Sequence, residues 1–269
     1  MMTKNNSFKK QIRARMKATG ETYAQARHAL QEKTFSLDFL MANGLSPFVN
    51  KPASEVVIED LFSGKELQDL QKSLMRKEHV FICGGAYTGK TFTLNAILNS
   101  NAILHPTERV ITIEENVNEL TRREYDTSLL TDSTVSIRDM VQHALRFSPD
   151  LIAIGEIGRD EIWLTDHITQ IGIGSYSTMH SGSITDLALT LDNTSFPQPT
   201  TVVMMDRFKI GEHYLFLKAV VPVTKEFSEA MSAYRKDRDE EQLHRVLAEL
   251  GIVTIDAKRK KLVHLGVLK

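Results

Sequence analysis

Residues 79–91 read His79-Val80-Phe81-Ile82-Cys83-Gly84-Gly85-Ala86-Tyr87-Thr88-Gly89-Lys90-Thr91. A short apolar run of strand character passes directly into a turn of the form G-x-x-x-x-G-K-T, and a helical stretch begins at about Lys90. In that context the glycines let backbone N–H groups turn inward around phosphate oxygens, and the helix adds the positive end of its dipole. Lys90 is expected to reach the β and γ phosphates and the Thr91 hydroxyl to ligate Mg²⁺. Gly84, Gly85, Ala86, Tyr87, Thr88, Gly89, Lys90, Thr91 and Phe92 are therefore the expected nucleotide-binding residues, with ATP as the ligand. A chance match to this pattern arises about once in a hundred chains of this length at ordinary glycine usage, and the strand-to-helix setting makes it rarer. Cys83 reads as a small buried strand residue and not as a nucleophile.

Working outward, apolar runs alternate with amphipathic stretches from about residue 35, the pattern of a sheet covered by helices. Ser63 with Glu66 is expected to cap a helix carrying Leu67, Leu70 and Leu74. Strands are expected at 79–83, 109–113 (RVITI), 151–156 (LIAIGE), near SYSTM, at TVVMM and at YLFLKAVV. Helices are expected through Met140, Val141, Ala144 and Leu145, around Trp163, and as two polar segments between about 224 and 250. In open parallel sheets the carboxyl ends of the strands face the ligand. That rule puts Glu156, at the end of LIAIGE, beside the phosphate loop, and Glu114 and Glu115 at the end of RVITI within reach of a water near the γ phosphate. His180 closes the strand STMH in the same way. Ordinary surface carboxylates and a lone histidine are the competing readings of these positions.

Composition sets the outer bounds. Of 269 residues 42% are hydrophobic and 25% charged, and the net charge is -1, so the chain as a whole is not an electrostatic binder of nucleic acid. A single cysteine allows no internal disulfide, and the nine histidines make no metal-spaced pair. No apolar run approaches the ~18 to 20 residues of a membrane-spanning helix, and no secretory signal is visible, which makes the cytosol the expected location. The charge is segregated, however. Residues 1–33 carry eight basic side chains against Glu21 and Glu32, a net of about +6. Phe8, Ile12 and Met16 recur at helical spacing, Gly20 interrupts, and Thr22 with Gln25 resembles a capping box for a second short helix through Leu30. Residues 1–34 thus read as a basic helical arm, either a solvated docking segment or a contact for anionic lipid or nucleic acid.

Taken together, GGAYTGKT, RVITIEENVNEL, ALRFSPDLIAIGEIGRDE, STMHSGS and VVPVTKEF stand in the order seen in the secretion and pilus ATPases of type II and type IV systems. The resemblance covers about residues 60–250. RVITIEE with NEL resembles that family's acidic box, PDLIAIGE its Walker B and STMH its histidine box, while ALRFSPD with VSIRDM is most similar to the conjugation and tight-adherence branch. The resemblance implies an α/β RecA-like P-loop domain over 35–269 behind the arm, working as an Mg-dependent ATPase. It implies Lys90 and Thr91 for phosphate and metal, Glu114 for activating water, Glu156 for the Mg²⁺ shell and His180 for sensing the γ phosphate. It also implies a hexameric ring, an inner-membrane platform as partner with peripheral attachment there, and an arginine that meets developing phosphate charge, with Arg122, Arg123, Arg146 and Arg159 as candidates.

The sequence departs from that pattern in places. The family's arginine after Gly-Glu-hydrophobic is replaced by Gly158, with Arg159 next, and Ile171-Gly172-Ile173 lacks the first histidine of the usual histidine box. Only about 80 residues precede the phosphate loop, so the domain that usually covers the nucleotide is expected to be absent or severely shortened, as is the cysteine-rich module of some members. Two other functions stay open on these grounds: a nucleotide-binding regulator or assembly platform with weak turnover, and a nucleic-acid-stimulated RecA-like motor of a mobile element. A small-molecule kinase fits least, since no lid or acceptor motif is present.

Overall fold

The apolar runs become neighbouring strands because each is long enough to pair and apolar enough to be covered. In the computed structural model, which describes residues 4–26, 35–132, 134–191, 200–210 and 213–268, the described strands are β1 (Leu45–Pro47), β2 (His79–Gly84), β3 (Val110–Glu115), β4 (Thr127–Thr131), β5 (Leu151–Ile154), β6 (Gly174–His180), β7 (Thr200–Ile210) and β8 (His213–Val223). They form one sheet in the order β1-β8-β7-β2-β6-β5-β3-β4. Pairing is parallel from β7 through β4, and antiparallel between β7 and β8 and between β8 and β1. The carboxyl ends of β2, β3, β5 and β6 consequently share one edge.

Both faces of the sheet are dry. On one, Val80, Ile82, Ala153, Tyr176, Val203 and Met205 join Leu70 and Leu74 of the helix Gly64–Met75 and Leu94, Ile97 and Leu98 of the helix Lys90–Leu104 in one apolar cluster. On the other, Phe81, Cys83, Ile111, Ile113, Ile152 and Ile154 are equally buried, and the helices Ile137–Leu145 and Ile162–Gln170 pack against β3 and β6. Burial on both sides explains why these strands read as continuous apolar runs and not as alternating ones. The chain divides into two units, Met1–Asn43 with Lys260–Lys269 and Gly44–Arg259, and the sheet lies in the second.

In the first unit the helix Lys4–Thr19 stops at Gly20, whose φ of +73° suits glycine. Thr22 and Gln25 exchange the two bonds of a capping box, the Thr22 N–H to Gln25 Oε1 at 2.9 Å and the Gln25 N–H to Thr22 Oγ1 at 3.3 Å. Residues 27–30, over which the second helix is expected to continue, lie outside the described residues, as does the Phe8 side chain. Ile12 is buried, whereas Lys9, Arg13 and Lys17 are exposed.

Four sequence expectations need correction. β3 runs on to Glu115, so Glu114 and Glu115 are strand residues of opposite facing, one buried and one exposed. β5 stops at Ile154, and Glu156 stands in the turn beyond it. Ser63 occupies the N-cap of Gly64–Met75 without a side-chain cap bond, and the Glu66 carboxylate instead takes the Lys258 ammonium at 2.5 Å. The chain also contains the edge strand β4 and the helices Ile184–Leu191 and Ile255–His264, none of which the apolar pattern marked.

A buried polar chain crosses the apolar cluster. The Tyr176 hydroxyl donates to Asn101 Oδ1 at 2.9 Å, Asn101 Nδ2 donates to Glu108 Oε2 at 2.9 Å, and Lys77 Nζ lies 2.5 Å from Glu108 Oε1. Tyr176→Phe would leave the buried Asn101 oxygen without its donor, a cost of about 1–3 kcal/mol. A melt should fall by roughly 2–4 °C per kcal/mol for a domain of this size, and an unchanged melting temperature would show that the chain of bonds adds nothing to stability.

Candidate nucleotide site

The phosphate loop is fixed by close approach. Gly84, the last residue of β2, pairs with His180 on one side and Met205 on the other. A Cβ there would lie 2.5 Å from Thr88 Oγ1 and 2.7 Å from the Met205 carbonyl oxygen, so no larger residue fits. The Thr88 hydroxyl and the Lys90 ammonium both donate to the Gly85 carbonyl at 2.9 Å, which ties the two ends of the loop together. Gly89, at φ +89°, caps the helix Lys90–Leu104. Lys90 is buried, and desolvation holds its ammonium below the ordinary lysine value, opposed by the charge of Glu156. Tyr87 departs from the glycine-rich character of the loop: it sits at φ +60° yet is 82% exposed. An L-residue in that region carries roughly 1–2 kcal/mol of backbone strain.

Behind the loop, Phe92 and Gly89 line a small apolar pocket with Phe48 and Phe216. The Phe48 and Phe92 rings are 5.7 Å apart. Lys218 stands at its wall, buried, with Nζ donating to Ser46 Oγ at 2.8 Å and to the Leu61 carbonyl at 2.9 Å. Burial pushes its ammonium down to about 8. Neither Phe48 nor Lys218 carries a local sequence signal, since Phe48 follows β1, which reaches the pocket by pairing with β8, and Lys218 stands on β8 opposite Met205.

Thr91, Glu114 and Glu156 line a cleft of about 470 Å³ along the carboxyl edge. Glu114 Oε1 accepts the N–H groups of Glu119 at 2.8 Å and Leu120 at 3.0 Å, whereas its buried Oε2 has no hydrogen-bond partner among the described residues. Burial raises this carboxyl above the usual glutamate range, with the two backbone donors pulling the other way. Gly155 makes the arrangement possible, because a Cβ there would come within 3.2 Å of Glu114 Cγ. Glu156 is exposed and pairs with His180, Nε2 to Oε1 at 3.2 Å. Thr178 brackets that glutamate: its hydroxyl donates to the Gly155 carbonyl at 2.5 Å and its carbonyl accepts the Ile157 N–H at 2.9 Å. Cys83 is wholly buried and its thiol is pushed up to about 12, which removes it from nucleophilic chemistry.

The arginines divide. Arg123 is bound to Asp126 at 2.9 Å and to the carbonyls of His105 and Pro106, a structural fastening. Arg122 donates to Asn118 Oδ1 at 2.6 Å. Arg146, the C-cap of Ile137–Leu145, is exposed, has no side-chain partner among the described residues and is not part of the cleft wall. Arg159 opens the short 3₁₀ turn Arg159–Glu161. An arginine the sequence did not single out, Arg259, joins the Asp206 carboxylate (Nε to Oδ2, 3.1 Å) to the Gly182 carbonyl at 3.2 Å, two residues past His180.

Comparison with known proteins identifies the family and the fold. The family described as type II/IV secretion system protein matches residues 49–199, more than half of the chain. Conjugal transfer protein TrbB of Rhizobium radiobacter is 27% identical over 145 residues, which make up 52% of this chain and 43% of that protein. Protein VirB11 of Agrobacterium fabrum is 30% identical over 111 residues, 39% of this chain and 31% of that one. The chain therefore spans less than half the length of these curated relatives. Among solved structures, the pilus retraction motor PilT with bound ADP superposes with a TM-score of 0.55 at 18% identity, covering 90% of this chain and 81% of that one. The Legionella pneumophila ATPase DotB gives 0.54 at 17% identity, covering 75% and 60%. These two likenesses establish a common fold, that of the P-loop secretion ATPases, and the matched sequence establishes the kinship: the chain belongs to the type II/IV secretion system protein family.

Proposed function

We propose that this chain is an Mg-dependent ATP hydrolase that works as an oligomeric motor of a secretion, pilus or conjugative-transfer machine, in the cytoplasm and peripherally at the inner membrane. The observation that carries the reading is the meeting, on one sheet edge, of a tied phosphate loop, a buried lysine, a hydroxyl at Thr91, a buried carboxylate with an unpartnered oxygen at Glu114 and a second carboxylate at Glu156. No helix among the described residues is long and apolar enough to cross a membrane.

The residues fit both implied groups. Gly84 leaves no space for a side chain where backbone must close on phosphate, and the Thr91 hydroxyl and Glu156 carboxylate are hard oxygen donors of the kind Mg²⁺ takes together with phosphate and water. The metal ion supplies neutralisation of phosphate charge when bound. Lys90, now satisfied by the Gly85 carbonyl, is the cation that exchanges this partner for phosphate oxygens. Glu114, whose raised pKa makes it a better base than an ordinary carboxylate, accepts the proton of the attacking water through its unpartnered Oε2. His180 is held on Glu156 and reads changes at the phosphate end through that contact. A head-to-tail ring, hexameric as the family resemblance implies, brings an arginine of a neighbouring copy to each site, and Arg146, exposed and unpartnered among the described residues, is suited to such service. The arm of residues 1–34 is a separable docking segment for an anionic partner, lipid surface or nucleic acid.

Millimolar Mg-ATP should raise the melting temperature, since a ligand at a hundred times its Kd adds about 2.7 kcal/mol, and Lys90→Ala should abolish the shift. A wild-type melt indifferent to Mg-ATP would remove the site assignment. Glu156→Gln and Glu114→Gln should retain nucleotide while hydrolysis drops by ~10² or more. For Glu114 the sign of a second effect follows from its raised pKa. The folded state binds more protons than the unfolded state there, so stability is lost as pH rises from the ordinary glutamate range through the raised value. Glu114→Gln keeps the acceptor for Glu119 and Leu120, so it should match wild type below about pH 4 and exceed it in stability at neutral pH. Equal stability at both ends would show that Glu114 is not held as an unfavourable charge. Replacing the exposed Lys9, Arg13 and Lys17 by glutamate, which leaves buried Ile12 in place, should weaken co-sedimentation with anionic vesicles by at least about a hundredfold at ~1 kcal/mol per basic residue. Retention on DNA measured beside it decides between the two partners, and hydrolysis should not change.

A further inference from the structure

The hairpin of β7 and β8 is longer than the strand it flanks. β2 pairs with Thr200–Met205 only, so the stretch of β7 from Asp206 to Ile210 and its partner from His213 to Leu217 continue past Gly84, alongside the phosphate loop. Its root is anchored, because the Asp206 carboxylate is held by Arg259. The next residue, Arg207, is exposed, and its guanidinium carbon lies 5.0 Å from the Tyr214 ring centre and 5.8 Å from that of Tyr87. Tyr214 is paired directly with Lys209, which places it diagonally across from Arg207 on the same face of the hairpin. A basic group thus sits between two aromatic faces at the mouth of the loop.

Two further observations give this cluster a direction. Arg207 forms no ion pair among the described residues, and aromatic faces attract a cation without neutralising it. Tyr87 is an aromatic residue in the left-handed region with its ring mostly in solvent, so neither packing nor backbone preference accounts for it. Strain of this kind persists where an adjoining contact makes use of it, and the contact present is the one with Arg207. What the loop gathers is an anion, and the cation on offer beside it is a planar guanidinium, the group that binds phosphate through paired N–H donors.

We propose that Arg207 is a nucleotide-binding residue, supplied by the β7–β8 hairpin of the same chain, that meets the phosphates of the nucleotide seated in the loop, with Tyr87 as the positioning residue that presents it. The proposal rests on the phosphate-loop reading of residues 84–91 and adds to it a second source of positive charge besides Lys90.

The test is calorimetric titration of the full chain with Mg-ADP at low and at moderate salt. Arg207→Ala should weaken binding by about tenfold, the loss of one charge-assisted hydrogen bond, and the gap to wild type should narrow as salt rises. Arg207→Lys should recover part of the loss and Tyr87→Phe should bind as wild type, because the ring face is kept. Tyr87→Gly should lose affinity several-fold while the melting temperature without nucleotide stays level or rises, a combination that a merely structural tyrosine would not give. Binding by Arg207→Ala within twofold of wild type overturns the proposal and leaves the loop assignment standing. If wild type and Lys90→Ala alike take up no Mg-ADP, the loop assignment fails and this proposal with it.

Discussion

Gly84 has less than a methyl group of free space between the Thr88 hydroxyl and the Met205 carbonyl, and the geometry of the whole carboxyl edge follows from that contact. Pairing with Met205 and His180 fixes where β2 ends relative to β7 and β6. Once β2 ends there, the loop must turn at Gly85, the Thr88 hydroxyl must fold back onto it, and the helix beginning at Lys90 must start directly above the sheet. Parallel pairing through β6, β5 and β3 then carries the same edge across to Glu114. The site is a consequence of strand register more than of any side-chain arrangement built on top of it.

Around that edge the folded state tolerates groups it would be more stable without. Buried side-chain atoms lacking a hydrogen bond are few among the described residues: Glu108 Oε1, Thr112 Oγ1, Glu114 Oε2 and Ser177 Oγ. The hydroxyls of Thr112 and Ser177 are neutral, and Glu108 Oε1 has the Lys77 ammonium 2.5 Å away. Glu114 Oε2 alone of the four is a carboxylate oxygen with neither a hydrogen bond nor an ion pair, and its residue lines the cleft. Elsewhere buried polar side chains are satisfied, as where Ser73 meets Thr201 at 2.6 Å. A buried carboxylate oxygen left without compensation is a local cost to stability, and the reading of Glu114 as a base accounts for that cost.

Much of this was legible in the residues. The loop, β2 and β5 were readable because burial on both faces demands an unbroken apolar run and because glycine spacing in the loop is dictated by backbone approach. The apolar criterion failed where chemistry begins: it stopped β3 at Ile113, two residues short, and so could not tell that Glu114 faces inward and Glu115 outward. It overran β5 by including Glu156, which belongs to the turn. β4, reading Thr-Ser-Leu-Leu-Thr at the sheet edge, is covered on too few sides to need an apolar signature. Arg259 and Lys218 were invisible for a different reason, since each is held by partners more than 50 residues away, Asp206 for the one and Ser46 and Leu61 for the other, and Arg207 meets Tyr87 only through the hairpin's reach past Gly84.

Thr178 gives the edge a mechanical property. It binds the residues before and after Glu156 and precedes His180 by two positions on the same strand. The backbone on either side of Glu156 is therefore tied to the strand that ends in His180. A displacement of the end of β6 would be carried through these two bonds to the backbone around Glu156, and the reverse holds equally.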